Sequence, residues 1–228
     1  MNRRLTWLLA LAALIALAVA PAGIAGSKKG YKVSRGSTTV TVDSALAGVL
    51  DGAAVKITAN KPAKAVADTT DQFQFPITNG RAAVSIADGT ITVKSASVKH
   101  TGGLTLTQGE KSLTLRNPWV SAGDTGTGKL TAQVNGKRLE IATVEGGTPT
   151  LTVSGKRNRN VSVTGVTLKL TKDAAAALVA TFGLDPATVA EGTTLGTATV
   201  GTRIVGNGPK GKPAKTTKST TGKGKSHH

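Results

Sequence analysis

The chain of 228 residues contains no cysteine, so disulfide staples and thiolate ligands for a metal or haem are excluded. Aromatic residues make up only 3% of it: three Phe, two Trp and one Tyr. A core must therefore be built from Val, Leu, Ile, Ala and Thr. The interleaving of basic and aromatic residues that marks a nucleic-acid reader is also absent, so no specific nucleic-acid partner is expected. Of the three histidines, two are the terminal His227 and His228, to which no role is assigned, leaving His100 in the body. The 12 acidic residues are scattered singly, and neither a glycosidase carboxylate pair nor a calcium loop is spelled out. One body histidine with no nucleophile elbow and no H-E-x-x-H gives catalysis nothing to start from. The expectation is a protein that is not an enzyme.

Long apolar runs are missing as well. Leu8–Ala20 is the most extended, and it is shorter than the ~20 residues a membrane span requires. With Arg3 and Arg4 before it and the small residues of Gly23-Ile24-Ala25 behind it, this run reads as an export signal over residues 1–25. The expected location is secreted or attached to the cell envelope. Residues 26–35 then read as a basic linker, 36–206 as one domain and 207–228 as a tail. A domain of that length can bury roughly 70% of its unfolded surface.

What is abundant is positive charge and β-forming sequence. Lys and Arg number 29, for a formal charge of +17, and six of the lysines lie in the tail from Pro209 to His228. That tail holds no apolar residue larger than Ala, so it cannot recover its ordering entropy by burial and is expected to be disordered. A basic exported chain attracts anionic surfaces, and the Lys-rich tail is a candidate tether to anionic cell-wall polymers.

Short alternating runs recur through the body: 38–42, 54–58, 89–100, 104–107, 112–116, 130–134, 138–144, 149–155, 161–170 and 196–205. Asn135-Gly136 marks a two-residue hairpin, and Gln108-Gly109-Glu110-Lys111 a second turn. Helices are expected over 43–52, opened by Asp43, and over 171–183, opened by Thr171 and closed by Gly183. Each follows a strand and precedes another, a weak strand–helix–strand duplication. The fold class is mainly β, a two-sheet antiparallel sandwich-like body with two short helices. "GDTGTGK" (123–129) matches the glycine and lysine spacing of a phosphate loop, but Leu130 follows where Ser or Thr is needed, and a strand rather than a helix comes next. It reads as a connection between strands. "GKRNRN" (155–160) reads as a solvated basic turn.

Four segments in order carry a family resemblance: "FQFPITNG" from Phe73, "VKHTGGLTL" around His100, "LTLRNPWV" ending at Val120, and "GKLTAQV" ending at Val134. Together with the helix "LTKDAAAALVATFG" (170–183), they resemble the HtaA domain of exported and cell-surface proteins of actinobacteria. The resemblance covers about residues 36–205. It implies a mostly β fold and haem as cofactor. In haem-binding members of that family, a tyrosine in an S-F-x-x-Y helix opening ligates the iron and a histidine of an H-x-G segment supports it. The matching positions here are Ser44-Ala45-Leu46-Ala47-Gly48, which holds no tyrosine, and His100. Tyr31 is the chain's single tyrosine and stands before the first expected strand. His100, Tyr31 and Trp119 are thus the candidate haem contacts. Lys99, Arg116 and Arg138 are candidate partners for the propionates, and Phe73 and Phe75 are read as core. Two functions stay open: a module for haem or another flat hydrophobic ligand, and a structural or adhesive surface domain without haem.

Overall fold

The computed structural model describes residues 30–87, 90–123, 127–154 and 158–205. The export signal, the whole of the tail and the first residues of the basic turn at 155–160 lie outside them.

The elements run β1 (Tyr31–Val42), α1 (Ser44–Gly52), β2 (Lys56–Asn60), β3 (Lys64–Ala65), β4 (Gln72–Ala87), β5 (Thr90–His100), β6 (Gly103–Gln108), β7 (Lys111–Ala122), β8 (Thr127–Val134), β9 (Lys137–Ser154), β10 (Asn158–Leu170), α2 (Lys172–Phe182) and β11 (Thr194–Val205). The protein is mainly β with two short helices, as expected, but the two-sheet sandwich is not what forms. A single antiparallel sheet closes on itself through β7, β5, β4, β1, β11, β10, β9 and β8, because β8 pairs back onto β7. This is an eight-stranded barrel with β2, β3 and β6 added. Period-two alternation buries one face of each strand equally well in a sandwich and in a barrel, so the pattern alone does not separate them.

Local chemistry explains the helices. The Asp43 carboxylate accepts hydrogen bonds from the Ala45 and Leu46 amides at 3.0 and 3.4 Å, capping α1. Thr171 caps α2 by accepting from the Ala174 amide at 3.3 Å, and Gly183 ends the helix in the left-handed region at φ 69°. The duplication does not survive in space. α1 leads from β1 to β2, which pairs with β6, whereas α2 joins β10 and β11, which pair with each other.

Both helices bury their apolar faces in one core. Leu46, Leu50, Ala175, Leu178 and Phe182 meet Phe73, Phe75, Leu106, Leu113 and Ile141 there. Full burial of such a side chain is worth about 1.5–3 kcal/mol, so this cluster dominates the stability of the helix-covered half. Phe73 and Phe75 are core residues, as read from their alternation. A second cluster fills the other part of the barrel with Tyr31, Val33, Ile77, Val161 and Ile204, and a third lies around Ala142, Val144 and Leu168.

β1 starts at Tyr31, so residues 31–35 belong to the sheet rather than to a linker. A register shift between Val33 and Arg35 interrupts their alternation. β9 is likewise one strand through Gly146 and Gly147, where two had been expected. Among the described residues no helix is long and apolar enough to cross a membrane.

Candidate functional site

The step from β5 to β6 positions the candidate residues. Both strands lie on the same edge of β7: Lys99 pairs with Trp119, and Gly103 with Arg116. Three residues, His100 to Gly102, therefore stand opposite Asn117 and Pro118, which bulges the ladder. Gly102 takes φ 88°, and a side chain there would run into the backbone of Ala63. Asn117 is also left-handed, at φ 49°, and its amide donates to the Gly102 carbonyl at 2.8 Å. Along β5 the parity is plain. Val98 and His100 face the interior, while Ser97 and Lys99 face out.

His100 is buried, 6% exposed, and both ring nitrogens are engaged. Nδ1 lies 3.3 Å from the Pro118 carbonyl oxygen, which only accepts, so Nδ1 carries the proton. Nε2 is then the acceptor for the Thr38 hydroxyl at 2.7 Å. Thr38 is itself buried. The imidazole thus ties β1 to the β7 bulge across the barrel. Burial lowers its pKa from 6.5 to about 4, against a smaller upward pull from the Pro118 hydrogen bond. It is a neutral bridging group with no lone pair to spare.

Tyr31 is 5% exposed and packs with Val33, Ile77, Val161 and Ile204. It is an interior residue of the sheet, not a linker aromatic.

Trp119 faces outward. Its indole N–H donates to the Ser97 hydroxyl at 2.9 Å. Lys99 Nζ lies 4.8 Å and Arg138 Cζ 5.9 Å from its ring centre. Arg138 is held in place by donating to Thr131 Oγ1 at 3.0 Å. Arg116, exposed, lies on the same face through its pairing with Gln133, which in turn pairs with Arg138. The structure therefore brings Trp119, Lys99, Arg116 and Arg138 together on the outside. It holds His100 and Tyr31 apart from them on the inside.

Sequence reasoning missed an apolar pocket of about 100 Å³ between the helices and β6–β9. Leu46, Leu50, Leu106, Leu113, Ile141 and Leu178 are among its lining residues, which are all aliphatic. The signal was the two amphipathic helices themselves, but the pocket exists only where they meet the sheet. It is small beside the roughly 300–1,000 Å³ of ligand sites, and no axial donor lines it. His100 and Tyr31 are outside its lining, and His100 has no vacant nitrogen. These residues do not fit a haem held through its iron. No group of three or more His, Asp or Glu side chains placed to hold a metal occurs among the described residues. Lys129 of the phosphate-loop-like stretch lies on strand β8, not at a helix N-terminus, and pairs with Glu140 at 2.8 Å; residues 124–126 of the stretch lie outside the described residues.

The closed barrel with its two covering helices has a counterpart among solved structures. The crystal structure of the C-terminal domain of HtaA from Corynebacterium glutamicum matches with a TM-score of 0.51 at 20% identity, over 76% of this chain and 99% of that one. The fold is that of an HtaA domain. A domain-swapped dimer of a histidine-to-alanine variant of the same C. glutamicum domain matches with a TM-score of 0.41 at 18% identity, over 71% of this chain and 88% of that one. No protein-family model matches the chain, and no curated protein does. The chain is a divergent HtaA-like domain in fold, and the likeness speaks to nothing beyond the fold.

Proposed function

We propose that this protein is an exported binding module of the cell envelope that uses the HtaA fold to engage anionic envelope polymers, without coordinating haem. The observation that carries this reading is the surplus of exposed, unpaired cations. Among the residues whose side chains are described, the ion pairs are Lys129–Glu140 and Lys169–Glu145, and the other lysines and arginines of that set make none. The basic tail adds to the same charge and serves as a tether. This is the work of a binding module, and no catalytic step belongs to it. Isolated cell walls should retain the protein at low salt and release it as ionic strength rises, since exposed charge pairs are screened over about 10 Å at 0.1 M salt. Retention unchanged by salt would overturn the reading.

Haem is the second reading, and it rests on the family resemblance of the segments around Phe73, His100 and Trp119. It is tested by titrating haemin into the protein and into His100→Ala. The expected result is no one-to-one Soret shift in either chain. A sharp stoichiometric shift that weakens in His100→Ala would make haem the ligand.

A further inference from the structure

The cations of this protein are not spread evenly, and one group of them surrounds its single body tryptophan. Register places Lys32 opposite Arg81, Arg81 opposite Ser97, and Ser97 opposite Ser121. The next row holds Asn79, Lys99, Trp119 and Thr131, and the one after it Arg116, Gln133 and Arg138. Tyr31, Val33 and Val98 point into the barrel, so Lys32, Arg81 and Lys99 point out. All of Lys32, Arg81, Lys99, Arg116 and Arg138 are exposed. At ~4.8 Å per strand, β1 to β9 spans roughly 24 Å around the barrel. Glu140 and, farther along β9, Glu145 are the acidic side chains on this outer face among the described residues, and Lys129 and Lys169 already neutralise them.

Trp119 has the chemistry of a platform. Its one polar atom is satisfied by Ser97, so what it presents is a ring. Lys99 and Arg138 keep their charges over that ring, where the face of the π system attracts them. Lys99 makes no ion pair among the described residues, so a carboxylate or phosphate meets it without breaking one. A single ring with fixed cations around it does not suit a nucleic acid, which needs successive aromatics to stack successive bases. It suits a polymer of pyranose rings, whose flat C–H faces lie on an indole and whose acidic groups recur along the chain.

We propose that the outer face of β5, β7, β8 and β9 around Trp119 binds an acidic polysaccharide, with one sugar ring on the indole and its acidic groups on Lys99, Arg116 and Arg138. This rests on the reading that the module engages anionic envelope polymers, and it assigns the ring-stacking contact to the barrel, with the tail adding charge only.

The test uses the full chain with its six tail lysines replaced by glutamine, and polygalacturonate, neutral dextran and oligo-dT as probes. The expected result is salt-sensitive binding of polygalacturonate that the tail replacement leaves in place and dextran does not reproduce. The double variant Lys99→Gln with Arg116→Gln should weaken it about tenfold or more. Trp119→Leu should weaken it by a similar factor at every salt concentration. Circular dichroism checks that Trp119→Leu still folds, and the double variant, changed only at exposed positions, stands on its own if it does not. Binding that disappears with the tail lysines and ignores the face variants would overturn the site while leaving the polyanion reading intact. Tighter binding of oligo-dT would overturn the polysaccharide as the ligand. No salt-sensitive binding to either polyanion by the unmodified chain would remove the function and the site together.

Discussion

His100 and Trp119 lie on neighbouring strands, within one bulge of each other, and have opposite surroundings. The imidazole is inside the barrel, with Nε2 bound to the buried Thr38 hydroxyl and the Nδ1 proton held by the Pro118 carbonyl. The indole is outside, half-buried, with one cation over it from β5 and another from β9. The residue with the better ligand chemistry has been used up by the fold, and the one without donor capacity stands beside free charge. Donor chemistry is thus a poor guide to a site until the partners of each donor are known. In the barrel interior a polar group costs free energy unless it is satisfied, so an interior histidine becomes part of the structure.

The largest effect that would test this comparison is at His100. His100→Ala leaves a cavity and deprives the buried Thr38 hydroxyl of its acceptor, for an expected loss of about 2–4 kcal/mol in urea denaturation. A loss below about 1 kcal/mol would mean that the imidazole does not bridge the barrel. Next in size is the pH dependence. The folded pKa, about 4, lies below the unfolded value of 6.5, so on acidification the unfolded chain takes up the proton first. Stability is therefore full above pH 6.5 and falls as pH drops toward about 4. The loss amounts to about 3 kcal/mol at most. Denaturation midpoints of the wild type and His100→Gln between those pH values should converge as the pH falls, because the glutamine chain lacks this component. Parallel curves would show that His100 titrates normally.

The smallest effect is on the outside. Lys99→Gln removes one cation from the Trp119 ring and should cost about 0.5 kcal/mol or less, with a measurable change in tryptophan emission. If it costs as much as His100→Ala, the outer face is structural and the contrast between the two sides collapses.

Much of the local structure was legible because its causes are local. Asp43 and Thr171 cap their helices through amides two or three residues away. Gly183 ends α2 because it reaches φ 69° without strain, and Asn135-Gly136 turns a hairpin with φ values of 47° and 82°. The parity around His100 was not read: His100 and Trp119 were grouped as contacts of one ligand, whereas the structure puts the imidazole inside and the indole outside. Tyr31 escaped because the register shift after Val33 breaks the alternation of β1, and β9 was split in two because Gly146 and Gly147 look like a turn. The gathering of Lys99, Arg116 and Arg138 around Trp119 depends on three separate strand pairings. No interval in the chain encodes those pairings.

By itself, then, the sequence determined a cysteine-free, basic, mainly β chain, with caps, turns and strand faces in place. Those features follow from propensity, from short-range hydrogen bonds and from a period of two. Only the tertiary structure decided that β7 carries β5 and β6 on one edge and β8 on the other, closing a barrel instead of stacking two sheets. That closure put His100 in the barrel interior and Trp119 where cations from β5 and β9 meet. Burial and pairing partners are properties of the closed sheet, and they fixed which of the two residues was left free to meet a ligand.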